Sequence, residues 1–160
     1  MKKILIIAAA MLLSVSAFAQ KLTDLYESYS DRKGVSAVYI SSAMFRLVGG
    51  VPNLNVGKGV SLDGIINKLD GMFVLSSDDA GIAGSLEKDF RKIVKDDRYE
   101  LALEVKEDGD NIVKMYEVAK DDIITEFVML AKETSSVTLI SFRGVIPRKD
   151  FEKAMNNVTL

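Results

Sequence analysis

The chain has no histidine, no cysteine and no tryptophan, and only two prolines in 160 residues. Each absence closes a route. Without imidazole or thiolate there is no Ser-His-Asp or Cys-His pair, and no zinc or copper site of the usual ligand set. Acid–base chemistry would fall to carboxylates, lysines or tyrosines. Without cysteine no disulfide staples the fold, so a core drawn from the 48% hydrophobic residues must hold it. Net charge is −2, and a mildly acidic chain argues against a nucleic-acid backbone binder, which would need a basic face. No cofactor is implied.

What is present begins with an export signal. Lys2 and Lys3 precede an apolar run from Ile4 to Val15, broken only by Ser14, and Ala17-Phe18-Ala19 follows. This is the basic, apolar and small-residue order of a secretory signal peptide, with cleavage expected between Ala19 and Gln20. The run is shorter than the ~20 apolar residues of a membrane span, so no stable membrane insertion is expected after cleavage. Residues 1–19 are therefore read as signal and 20–160 as one domain in the periplasm or outside the cell. Cleavage takes away two lysines and no acid, moving the net charge from −2 to −4.

Periodicity then divides the chain. Leu22, Leu25, Tyr26 and Tyr29 fall on one helical face, with Thr23 as N-cap and Gly34 as the left-handed residue beyond the last turn. Val35 to Ile40 reads as a buried strand running into Ser41-Ser42, followed by a short apolar helix that stops at Gly49-Gly50. Gly49 to Gly59 reads as an exposed loop. A second helix is expected from Ser61 through Leu62, Ile65, Ile66 and Leu69 to Gly71. Met72 to Leu75 is the next strand, ending in Ser76-Ser77. A third helix runs from Asp78-Asp79 to about Lys95. The second half changes to strand period. Four strands (Tyr99 to Lys106, Asn111 to Val118, Ile123 to Ala131, Val137 to Gly144) are joined by short polar turns into an antiparallel meander. Pro147 opens a last helix, with Phe151, Ala154, Met155 and Val158 on its buried face. The expected architecture is α+β: a two-layer sandwich of about six strands, mainly antiparallel, with helices on one face.

Most motif-like fragments have a simpler reading. Ser85-Leu86-Glu87-Lys88 has Ser-x-x-Lys spacing but lacks the Ser-Asp-Asn and Lys-Thr-Gly partners of penicillin-recognising enzymes. Gly57-Lys58-Gly59 lacks the remaining residues of a phosphate loop, and Asp108-Gly109-Asp110 is a hairpin turn rather than a calcium loop. The constellation that remains is Ser41-Ser42 with Ser76-Ser77. Each pair meets a helix start, where free N–H groups favour anions. If the two strands are adjacent and parallel, these helix starts converge on a small anionic ligand, with Lys58 nearby. Otherwise each serine caps its own helix.

The Gly34–Gly50 stretch carries a resemblance. Gly-Val-x-x-Val-Tyr-Ile-Ser followed by Ala-Met-Phe-Arg-Leu and a glycine, behind an Ala-x-Ala signal, resembles the exported bacterial family called domain of unknown function 4252. The resemblance implies a single-domain exported protein and brings no activity or catalytic residue with it. Two readings follow. The first is a non-enzymatic protein that binds an envelope protein or component; a third possibility beside the two is self-association through a sheet edge, that of the meander. The second is a small anionic-ligand binder, or a hydrolase, at the helix starts after Ser42 and Ser77.

Overall fold

The computed structural model describes residues 21–48, 64–109 and 111–156. The elements are α1 (21–30), β1 (Ser36–Ser41), α2 (Ser42–Val48), a 3-10 turn (Ile66–Lys68), β2 (Leu69–Ser77) and α3 (Ala80–Ile93). They continue as β3 (Glu100–Lys106), β4 (Ile112–Lys120), β5 (Ile123–Lys132), β6 (Val137–Pro147) and α4 (Arg148–Asn156). Among the described residues, one six-stranded sheet in the order β1-β2-β6-β5-β4-β3 collects every strand, and every neighbouring pair is antiparallel. The expected α+β class and the meander β3–β6 are both present.

The helices cover both faces of the sheet rather than one. α1 and α3 bury Leu22, Leu25, Tyr29, Leu86 and Phe90 against Phe73, Leu75, Val128, Leu130 and Leu139. α2 and α4 bury Phe45 and Ala154 on the opposite face, against Met72, Phe127, Met129, Ile140 and Phe142. The strands themselves require this. Phe127-Val128-Met129-Leu130-Ala131 and Leu139-Ile140-Ser141-Phe142 are buried at every position, so both faces of β5 and β6 need cover. The clean alternation that suggested a wet face belongs to β3, which is an edge strand and is largely exposed.

Two local expectations also change. The helix expected from Ser61 is, within the described residues, only the 3-10 turn, and Leu69 is already in the sheet. Leu69 and Gly71 pair with Gly144 and Arg143, so this stretch is extended and Gly71 is a buried strand residue rather than a helix stop. Pro147 closes β6 opposite Ile123 instead of opening α4. Other features stand as expected. α1 is present, and Gly34 follows it at φ +86°, where any side chain would strain the backbone. Asp79 caps α3, its carboxylate accepting from the Ile82 N–H at 2.9 Å. Among the described residues no helix is long and apolar enough to cross a membrane.

Polar ties join the layers. Tyr29 Oη donates to Asp89 at 2.9 Å, linking α1 to α3. Glu87 on α3 receives Lys132 from β5 at 2.8 Å. The Arg148 guanidinium meets both oxygens of buried Glu117, at 2.7 and 3.3 Å, which fixes the start of α4 on β4.

Candidate functional site

The serine pairs do not converge. β1 and β2 are antiparallel, with Ser36 opposite Ser76 and Ser41 opposite Gly71, so Ser41-Ser42 and Ser76-Ser77 lie at opposite ends of the strand pair. The sequence could not settle this, because a connection that includes a helix can return the chain in either direction. Ser41 does cap its own helix, its Oγ accepting from the Met44 N–H at 3.4 Å. Ser77 has another task. Its hydroxyl donates to the Gly34 carbonyl at 2.8 Å and accepts from the Asp79 N–H at 3.1 Å, tying the turn before β1 to the start of α3. Ser77→Ala is expected to cost about 1–2 kcal/mol in denaturant titrations, because it leaves buried polar groups unpaired. Lys58 and the cleavage residues Ala17, Ala19 and Gln20 lie outside the described residues, as does the loop from Gly49 to Gly59.

A different polar region emerges on the α1–α3 face. Strand register places Ser41, Gly71, Arg143 and Glu126 in one row across β1, β2, β6 and β5. The next row is Tyr39, Phe73, Ser141 and Val128. Beyond Glu126 the polar band continues through Tyr99, whose hydroxyl donates to Glu126 Oε1, to Arg98 and Asp96. Lys21 of α1 pairs with Asp96 at 3.5 Å. The apolar core under α1 and α3 thus gives way, at one end, to a band of buried and half-buried charge.

Burial governs the protons here. Desolvation raises the Glu126 carboxyl above its ordinary range, outweighing the Tyr99 hydrogen bond and the charges of Arg143 and Arg98. The Tyr99 hydroxyl is raised too, by burial and then by the Glu126 charge. Asp96 is held low: burial opposes ionisation, but the Arg98 backbone and side chain both donate to it. The Glu126 shift has a definite sign in stability. Below about pH 4.5 the carboxyl is protonated in folded and unfolded chains alike, and its contribution is intact. As pH rises through the raised folded value, the buried group must give up its proton and stability is lost. Glu126→Gln keeps the acceptor for Tyr99 without the charge. Its melting temperature relative to the unsubstituted protein should therefore climb in thermal melts as pH rises above about 4.5. A difference that does not change with pH would remove Glu126 as the responsible group.

Beside Arg143 the missing side chain of Gly71 leaves a recess. It is lined by Thr23, Tyr26, Tyr39, Gly71, Met72, Phe73, Ser141 and Arg143 and has room for about one water-sized group. Tyr26 packs on Phe73 at 5.1 Å and on Tyr39 at 5.9 Å, which makes one wall aromatic. Sequence reading missed this place because Gly71 looked like a helix stop. Only the register sets it between Ser41 and Arg143. Among the described residues no three acidic side chains gather as a metal site would require.

A second surface feature lies on β1. Among the described residues β1 pairs with β2 alone, and it carries no charged residue. Val38 is 47% and Tyr39 53% exposed, on opposite faces of the strand. Met44 is also exposed on the adjoining α2, where Leu47 stands 82% open. The other edge, β3, is guarded: Glu104 bridges Lys106 on the same strand and Lys114 on β4, both at 2.7 Å.

Neither the curated proteins nor the solved structures give a match to this chain. A family model does, over residues 29–154, from the last residues of α1 to the buried part of α4. The matched segment takes in all six described strands, and the chain therefore belongs to the family described as domain of unknown function DUF4252.

Proposed function

We propose that this is an exported, non-enzymatic binding protein of the bacterial cell envelope, which engages a protein partner along the β1 edge. The observation that carries the reading is the contrast between the two sheet edges. A free edge strand is a template for pairing, and edges meant to stay free are blunted by charge. Both edges expose apolar side chains, Leu101 and Leu103 on β3 and Val38 and Tyr39 on β1, but β3 is blunted by charge in that way, whereas β1 (Ser-Ala-Val-Tyr-Ile-Ser) has none. A partner strand added to β1 would make main-chain hydrogen bonds and bury Val38 on one face and Tyr39 on the other. The absence of histidine and cysteine supports a binding role over catalysis, as does the pairing of the buried carboxylates Glu87, Glu117 and Glu126 within the protein. Export rests on residues 1–19, and a mature chain beginning at Gln20, found by mass measurement in the periplasmic fraction, would establish it.

Val38→Lys tests the edge directly. The side chain is half exposed, so folding should be unchanged within about 0.5 kcal/mol. An envelope protein that co-purifies with the unsubstituted chain should be lost with the variant. Retention of the same partner by Val38→Lys would refute docking at β1. A second copy of this chain is another possible occupant of the edge, and a halved mass for the variant in solution would identify it.

A further inference from the structure

We propose that the partner on the β1 edge is a second copy of this chain, paired antiparallel so that two six-stranded sheets run on as one. This rests on the reading of β1 as a docking edge, and adds the occupant and its register. Charge favours a second copy. Among the described strands only β1 carries no charged residue: β2 has Asp70, β6 has Arg143, and β3, β4 and β5 carry charges of both signs. In a symmetric pair the same patch faces itself, so a charge on the strand would stand close to its own copy. β1 is free of that repulsion, and the uncharged stretch reaches beyond it, from Gly34 to Phe45. Lys33 and Arg46, which bound the stretch, are exposed and lie outside the paired strand.

Register points the same way. Like faces of the two sheets stay together only when a β1 residue sits across from itself, on a two-fold axis normal to the sheet. Centred on Tyr39, the pairing sets Val38 of each copy opposite Ile40 of the other, and Tyr39 opposite its own copy. Pairs of β-branched residues and of aromatics are favourable across an antiparallel ladder. Val38 lies on the α2–α4 side beside Val74, and Tyr39 on the α1–α3 side beside Phe73, so each pair carries an apolar layer across the seam. α2 begins at the residue after Ser41 and adds exposed Met44 and Leu47 close to the seam. A second copy thus covers apolar surface without burying a charge. The β3 edge offers no such pairing, because a copy there would desolvate Glu104 with its bridges to Lys106 and Lys114.

The absence of native cysteine gives the test a clean background. Tyr39→Cys and, separately, Leu103→Cys are purified and treated with a short bismaleimide, which traps even a weak pair. Tyr39→Cys should yield a covalent pair of chains, and Leu103→Cys should stay single. Light scattering of the unsubstituted protein should give a mass that rises with concentration to that of two chains. Val38→Lys should keep the mass of one chain throughout, with circular dichroism matching the unsubstituted protein. A single-chain mass for the unsubstituted protein at every concentration, equal trapping through Leu103→Cys, or a pair that persists in Val38→Lys would each overturn the proposal. Its failure is distinct from failure of the edge. A single-chain mass, with a different envelope protein lost from Val38→Lys, removes only the second copy. A pair and an envelope partner both retained by Val38→Lys remove the edge as well.

Discussion

Gly144→Ala is expected to lose about 3 kcal/mol of stability, or roughly 10 °C in melting temperature. The added carbon would stand 2.0 Å from the Lys68 carbonyl oxygen, 2.9 Å from the Lys68 carbonyl carbon and 3.0 Å from Leu69 Cα. All three are backbone atoms, so no side-chain rotation relieves the clash. The chain entering β2 would have to lift away from β6, breaking the Leu69–Gly144 pairing. Gly144 has no positive φ, so the glycine is needed for space and not for conformation. Urea titration measures the effect directly. A loss below about 0.5 kcal/mol would mean that β2 does not start against Gly144.

Phe142→Ala, one layer along the same strand, should cost about 4 kcal/mol. The ring is buried, stacks on Phe127 at 4.9 Å and lies 6.3 Å from Phe151 of α4. Removing it opens a cavity where β5, β6 and α4 meet, and the strand backbone cannot collapse to fill it. Val145, three residues on, is 62% exposed, and Val145→Ala should change stability by no more than about 0.5 kcal/mol. Chemical denaturation of the two variants side by side checks how β6 is oriented between its helix layers. Similar losses for both would contradict the two-sided core.

Local pattern carried much of this fold. The spacing of Leu22, Leu25 and Tyr29 defines the buried face of α1, and Leu86 and Phe90 help define that of α3. Polar turns between β-patterned runs defined the meander. The alternation of β3 pointed to a single wet face, and the expectation of helices on one face followed it, although the apolar runs in β5 and β6 need cover on both. What pattern cannot supply is which strands lie side by side. Periodicity assigns residues to a face of their own strand and carries no information on the neighbour's direction, so the β1–β2 pairing stayed open. With it went the fate of the serine pairs. Ser77 bonds to Gly34, forty-three positions away, and no local signal reports that contact. The recess is hidden for the same reason: Gly71, Ser141 and Arg143 meet only through the β2–β6 register. Glu126 sat in a strand pattern like any outward acid, and its burial depends on Tyr99 arriving from the end of α3.

The binding role at β1 is tested most directly by site-specific photo-crosslinking in the native envelope. A photoreactive residue is placed at Val38 on the uncharged edge and, in a separate variant, at Leu103 on the charged edge β3. The account predicts one defined adduct from position 38, absent from position 103 and lost when the edge also carries Tyr39→Lys. No adduct at position 38, or the same adduct from both positions, would contradict it.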